Sequence, residues 1–580
     1  MSFLLTPPNK VHGLQPDCAF TVPPLDGSLT LPEIYDWHYE NNPQHPVFLY
    51  TRSTGEKCFC PYSEVVPAAH RAGRYVADAA GIDLTADAST FPLVAIFAAT
   101  DTVTYFTTLI GALRAGIRVL NISPRFSAEV IAHLLSTTKA TRVFVGTEST
   151  LNGLLQDALN VLKKTQGANV PGLSPMPTFG DIYVSDGIFK RLPVQKQDFS
   201  APTIIVHSSG SSGAYPKPIV WNARSQLQSC MLPQYGVHDL CGQIFAYHAM
   251  ELFHASGLFF LSWLPSAGFI LGTFAPATPA TCPTAESVFS EVEKIQPSYM
   301  FAPPALISKW SQDDEKVALL SKLRGLMYGG RFINKSVGDS LVSQGVKVYT
   351  LYGLTETGLV SPLLSECQGV DWEYFSVTPH CAAKFMPTGD DTYELVVVQE
   401  SYQELTLTNT EVDGKNAYAT GDILVPHPTK PGLWKVLGRI NDQIMLTTGD
   451  VLNPYYLEDT LCQHPDISAA VMFGRGKNCV GVLIELKEEL KFDFADTAKR
   501  MQRLGDIWPK IAEANATAPK FAQLSKETVL FSEPARPFTY NMKGVAKRPL
   551  ILQQYQPEID ALYRALAGRG QRYIAPIVAL

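Results

Sequence analysis

Residues 203–220 read TIIVHSSGSSGAYPKPIV: an apolar run of strand character passes into six consecutive Ser or Gly residues, and Pro216 and Lys217 follow shortly after. Small residues let the backbone turn tightly, so that several N–H groups converge on one anion. Ser208, Ser209, Ser211 and Ser212 add hydroxyl donors, Gly210 and Gly213 leave room for close approach, and Lys217 adds a positive charge. A solvated Ser/Gly linker is the plain alternative. The buried-strand run before the loop and the Pro-Lys after it favour a phosphate loop at a strand end. A P-loop NTPase is disfavoured, because the second Gly of that pattern, counted from Gly210, falls on Tyr215.

Short apolar runs flank this segment and alternate with helical patterns. PLVAIFAAT (92–100), RVLNIS (118–123) and TRVFVG (141–146) read as buried strands, and TVTYFTTLIGALRAG (102–116) as a helix between the first two. The alternation predicts an α/β protein with layered, largely parallel sheets. Near residue 390 the pattern turns β-rich, with TYELVVVQE, AYATGDILVPHP and GLWKVLGR separated by turn residues. Beyond Arg439 a smaller α+β segment has its own strands, ISAAVMFG and CVGVLIEL. The expected division is a large lobe of residues 1–438 and a smaller, mobile C-terminal lobe of residues 439–580.

Composition narrows the function classes. Of the 580 residues 46% are hydrophobic and 17% charged, against about 25% charged in an average domain, which excludes a disordered chain. A net charge of −7 offers no electrostatic footprint for nucleic acid. The ten cysteines form no CxxC pair, so reduced thiols and a cytoplasmic setting are expected. Leu252 to Ala285 carries no charged side chain, but Pro265, Gly268, Gly272 and Pro276 break it up. It reads as a core helix, LFFLSWL, joined by a Pro-Ser-Ala-Gly turn to a core strand, GFILGTF, and not as a membrane span.

An ordered set of further motifs accompanies the loop. PYSEV (61–65) and LRAGIRVLNISPR (113–125) precede it. FHASG (253–257), MYGG (327–330), LYGLTETG (351–358), YATGD (418–422), GRINDQI (438–444) and PFTYNMKG (537–544) follow. In kind, order and spacing the set resembles the adenylate-forming superfamily of acyl- and aryl-CoA ligases, luciferases and peptide-synthetase adenylation domains. The likeness covers nearly the whole chain. Its departure is Ala214-Tyr215, where the family usually has one residue before Pro-Lys.

The resemblance implies roles that suit the residue types. Tyr352 has a flat ring for stacking adenine, Thr355 a hydroxyl for phosphate, and Glu356 a hard oxygen ligand for Mg²⁺. Asp422 accepts from both ribose hydroxyls, and Arg439 helps to bind the nucleotide. Lys543 matches the late catalytic lysine, which stabilises charge at the α-phosphate as pyrophosphate leaves, and Lys547 is its competitor. Met542 stands where the family usually has Gly. Asn441 occupies the hinge position, usually Asp or Lys, and the Gly449 region approaches the incoming thiol after rotation.

His254, with Gly329 and Gly330, belongs by the same resemblance to the acid pocket. Amino-acid-activating domains usually carry Asp at this position to pair with the α-ammonium. His254 therefore implies a non-amino carboxylic acid, with aromatic acids foremost. The motifs most resemble the adenylation domains of fungal NRPS-like carboxylic acid reductases. ATP and Mg²⁺ are the implied cofactors, and a carrier phosphopantetheine thiol or CoA the acceptor. A carrier domain and an NADPH-dependent reductase domain are expected downstream, since 37 residues follow Lys543 without a carrier sequence. A free-standing CoA ligase and an idle nucleotide- or acyl-binding homologue are the other readings. Neither nucleic acid nor membrane is an expected partner.

Overall fold

The computed structural model describes residues 3–568, apart from 8, 15–19, 167–169, 185–188, 196–197, 209–214, 331, 366, 390, 494–495 and 542–543. The chain has two compact units. One comprises Met1–Phe385, Val396–Thr420 and Pro426–Lys435, and the other Met386–Leu395, Gly421–Val425 and Val436–Leu580.

Two largely parallel sheets form the first unit. One has the order Gly172–Pro175, Arg142–Val145, Val94–Phe97, Val119–Asn121, Pro202–His207, Pro218–Asn222, and only its last pair is antiparallel. The other runs Val348–Leu351, Gly325–Gly329, Tyr299–Phe301, Ile244–Ala246, Ile270–Gly272, Pro46–Thr51, Lys57–Pro61, again with one antiparallel edge pair. Strands buried on both faces need continuous apolar runs, which is why the sequence pattern was readable. One apolar cluster joins Ile96 and Val206 of the first sheet to Phe48 and Leu271 of the second through Phe106, Phe260 and Trp263.

Close helix packing supports this layer. Helices Tyr62–Ala80 and Thr102–Arg114 meet at Gly73 and Gly111, and a Cβ on Gly111 would stand 2.1 Å from the Ala69 carbonyl oxygen. Asp101 caps the second helix by accepting from Thr104 N–H at 2.9 Å.

The charge-free stretch is core, with one change from expectation. The helix Phe260–Ala267 continues through Pro265, and the turn is made by Gly268 alone, at φ +70°. A proline inside a helix strands the carbonyl four residues earlier. That carbonyl, on Leu261, accepts from the Tyr35 hydroxyl at 2.8 Å, so the helix tolerates the proline. Among the described residues no helix is long and apolar enough to cross a membrane. The reduced-thiol expectation fails at Cys241, which is disulfide-bonded.

The β-rich sheet has the order Phe375–Ser376, Leu433–Arg439, Lys415–Pro426, Thr392–Val398, Ala383–Gly389, and segments of its strands fall in both units. The second unit also holds the three-stranded sheet Ile467–Phe473, Gly481–Leu486, Val529–Phe531. Side-chain alternation along a strand feeds two cores. Met472, Val482 and Ile484 pack on Leu504, Ile507 and Ile511 of the helix Thr497–Thr517. Val471, Phe473 and Leu483 face Ile551 and Ile559 of the helices Arg548–Gln554 and Gln556–Gly568, and Tyr555 between those helices. The architecture is mixed α/β with parallel sheets and an α+β C-terminal region.

Candidate active site

The phosphate-loop segment is the connection between an antiparallel strand pair, with His207 opposite Pro218. Ser208 N–H donates to the Lys217 carbonyl at 3.0 Å, and Lys217 N–H donates back to Ser208 Oγ at 3.0 Å. These bonds close the neck of the loop and leave the Lys217 side chain exposed. Ser209, Gly210, Ser211, Ser212 and Gly213 lie outside the described residues. The unexpected residue of the loop, Tyr215, stacks on His133, ring centroids 4.7 Å apart and 17° from parallel.

LYGLTETG forms a tight hairpin in which Gly353 pairs with Leu359 and Leu354 with Gly358. Gly358 has φ +78°, a left-handed conformation that other residues adopt only under strain. The tip backbone is pinned from outside. Trp221 Nε1–H donates to the Thr355 carbonyl at 3.2 Å, and Thr406 Oγ–H to the Glu356 carbonyl at 2.8 Å. Holding the tip by its backbone leaves the Thr355 and Glu356 side chains as the variable chemistry. Tyr352 stacks on Phe375, centroids 5.0 Å apart. Gly329 lies opposite Leu351 in the parallel sheet, and a Cβ on it would come within 2.9 Å of the Leu351 carbonyl oxygen. Gly330 follows at φ +73°, so the two glycines end their strand beside the start of the hairpin.

His254 begins the short helix Ala255–Leu258. Its ring meets His207 edge-on, centroids 5.6 Å apart, and its Nε2 lies 3.7 Å from Glu251 Oε2. Glu251 is also ion-paired with Arg125. Burial pushes the Glu251 carboxyl up, against the opposing pull of the Arg125 charge. Burial also pushes His207 down to about 4, so its ring is neutral at neutral pH. His207 Nε2 is buried with no hydrogen-bond partner among the described residues.

Within the second unit Arg439 and Asp422 are brought together, Nε to Oδ1 at 2.6 Å. Asp422 is buried, whereas Arg439 is half exposed. Asn441 sits in the turn Ile440–Asp442, where its carbonyl accepts from Arg475 Nη2 at 3.1 Å. Gly449 has φ +88° in the turn between two short strands, Ile444–Met445 and Val451–Leu452. Lys543 lies outside the described residues. The segment around it is held on both sides. Phe538 N–H donates to Glu485 Oε1 at 2.9 Å, the Tyr540 hydroxyl donates to Glu485 Oε2, and Gly544 N–H donates to the Asn541 carbonyl at 2.8 Å. Lys547, the competing lysine, precedes the helix Arg548–Gln554, with its backbone N–H on the Thr539 carbonyl at 2.7 Å.

Arg548 links the post-hinge turn to the helix Tyr455–Cys462 and to the small sheet, with Nε 3.4 Å from Asp442 Oδ1, Nη2 2.7 Å from Glu458 Oε1 and Nη1–H donating to the Met472 carbonyl at 2.8 Å. Neither Glu485 nor Arg548 was assigned from sequence. Glu485 had a signal, being a single carboxylate inside the apolar run CVGVLIEL. Arg548 had none.

Residues 35–389 match the family model described as AMP-binding enzyme, and residues 441–567 match the AMP-binding enzyme C-terminal domain. The chain belongs to the AMP-binding enzyme family. This AMP-binding enzyme is 38% identical over 97% of its length to the adenylate-forming reductase Nps10 of Heterobasidion annosum. To a carboxylic acid reductase of Neurospora crassa it is 27% identical over 82% of its length. It covers 52% and 45% of those two proteins, so the chain spans about half the length of the curated relatives it matches. In fold it is similar to an anthranilate CoA ligase, AuaEII, in complex with anthranoyl-AMP. The TM-score is 0.66 at 15% identity, over 93% of this chain and 98% of that one. MatB from Rhodopseudomonas palustris gives a TM-score of 0.65 at 14% identity, over 92% of this chain and 100% of that one. The AMP-binding enzyme is thus a member of an adenylate-forming enzyme family, related to fungal reductases.

Proposed function

We propose that the protein uses ATP and Mg²⁺ to convert a non-amino, aromatic carboxylic acid to its acyl-adenylate. It then passes the acyl group to a phosphopantetheine thiol as the first step of reduction to an aldehyde. The relationship to adenylate-forming reductases along almost the whole chain carries this reading. In the first step a carboxylate oxygen of the acid bonds to the α-phosphorus of ATP, and pyrophosphate leaves with the electrons of the broken P–O bond. In the second the thiolate attacks the acyl carbon, and AMP departs with its oxygen.

Lys217 and Thr355 serve the phosphates, Tyr352 the adenine, and Asp422 with Arg439 the ribose. Lys543 stabilises charge at the α-phosphate while pyrophosphate leaves. Glu356 is a hard carboxylate at a hairpin tip with no ion pair among the described residues, so it suits Mg²⁺, which would screen the phosphate charge. The pocket wall supports the exclusion of amino acids. Its carboxylate, Glu251, is already committed to Arg125, so an α-ammonium group would enter without an anion of its own.

A second reading, CoA as the acceptor, draws on the fold shared with CoA ligases. The acceptor is decided by adding either CoA or a phosphopantetheinylated carrier to preformed acyl-adenylate. The proposal expects rapid loading of the carrier, whereas rapid formation of a free CoA thioester contradicts it.

A further inference from the structure

A cavity of about 60 Å³ lies inside the first unit, behind the hairpin tip. Thr357–Leu359 of the hairpin form one side, and Leu258 and Phe259, shortly after His254, form another. Trp221 completes an aromatic wall, stacked on Phe259 with centroids 5.0 Å apart and planes 20° from parallel. The Trp221–Phe259 face is flat and apolar, as the edge of an aryl ring requires, and the volume suits a ring substituent and not a whole ring.

The rest of the lining is not apolar. Gln226 faces the cavity while only 4% exposed, and its amide makes no hydrogen bond among the described residues. A ligand that covered this amide without bonding to it would leave it unpaired, which is costly. His380 also lines the cavity, with Nδ1 3.0 Å from Thr378 Oγ1 and no partner at Nε2 among the described residues. Burial pushes His380 down to about 4, so it is a neutral donor or acceptor at neutral pH. No Lys or Arg lines the cavity, and Glu404 does. That charge distribution disfavours a phosphate or a second carboxylate.

We propose that this cavity receives the far end of the activated acid, and that Gln226 and His380 select an aryl acid bearing an uncharged hydrogen-bonding substituent such as a phenolic hydroxyl. The inference rests on the adenylation reading and names the substrate class within it. A bare ring would leave the buried Gln226 amide unpaired, and sites built to bond a hydroxyl reject the analogue that lacks it.

Acid-dependent pyrophosphate exchange is measured with benzoate and its monohydroxy derivatives, and with phenylacetate and its derivatives, in the wild type, Gln226→Leu and Gln226→Met. The kcat/KM ratio of hydroxylated to bare acid is taken within one preparation, so a partial folding defect cancels. At least one hydroxylated acid should exceed its bare partner by tenfold or more in the wild type, and both variants should bring that ratio toward one. Equal rates within every pair in the wild type mean a cavity filled by water only and overturn the proposal. A ratio preserved in both variants overturns it as well. Exchange with no acid at all overturns the adenylation reading, whereas exchange without discrimination overturns the role of the cavity alone.

Discussion

Arg439 Nε stands 2.6 Å from Asp422 Oδ1, which pairs the carboxylate assigned to the ribose with the arginine that precedes the hinge turn. Asp422 is the buried member, and Arg439 is 48% exposed. Removing the arginine leaves a buried carboxylate without its cation, whereas removing the carboxylate's charge leaves an arginine that water can solvate. Arg439→Ala should therefore destabilise the fold by about 1–2 kcal/mol, discounted for the exposed partner. Asp422→Asn should cost less in urea denaturation yet raise KM for ATP by about tenfold, the value of a charged hydrogen bond. Equal stability losses in the two variants would contradict this division of roles.

Glu485 ties Phe538 and Tyr540 to the small sheet, five and three residues before Lys543. Glu485→Ala strands two donors and should slow acyl-adenylate formation by more than tenfold. Thiol transfer from acyl-adenylate supplied ready-made should change little, because that step does not use the lysine. Glu485→Gln, which keeps an acceptor, should recover part of the first step. Parallel loss of both half-reactions would reduce Glu485 to general stability.

His207 gives a pH prediction with a definite sign. Burial lowers it from 6.5 to about 4, so between those values the unfolded chain binds a proton that the folded chain does not. Its contribution to stability is therefore complete above pH 6.5 and falls as the pH drops toward 4, where the loss stops. His380, also lowered to about 4 by burial, acts in the same direction. In urea titrations His207→Gln should flatten the decline across this window by roughly one proton. An unchanged slope would mean that the ring is solvated.

The helix contact at Gly73 and Gly111 predicts a contrast between two glycines. Gly111→Ala would push a methyl to 2.1 Å from the Ala69 carbonyl oxygen and should cost about 1–3 kcal/mol or more. Gly153, in the helix Ser149–Gln166, has nothing within 4 Å of its Cβ position. Gly153→Ala should stabilise the fold by about 0.5–1 kcal/mol. Thermal unfolding of both variants checks the pair.

The central strands of the first sheet, and Ile270–Gly272 of the second, were legible because burial on two faces writes a continuous apolar run. LYGLTETG was legible as a motif, but its folding into a hairpin was not. What the sequence hid were partnerships between distant positions. Arg548 meets Glu458 ninety positions away, and Tyr215 meets His133 across eighty-two, with no local periodicity to signal either. Pro265 misled for a related reason, since the hydroxyl that rescues its helix comes from Tyr35. Nothing in the sequence singles out Gln226, and only the fold places it at a cavity.

The central claim is tested most directly by pyrophosphate exchange across a panel of aromatic, fatty and amino acids, with wild type, Lys543→Ala and Lys547→Ala compared. An aromatic acid should be the best substrate, and Lys543→Ala should lose exchange by at least a hundredfold while nucleotide binding is retained and Lys547→Ala stays active. An amino acid as best substrate, or undiminished exchange in Lys543→Ala, would contradict the account.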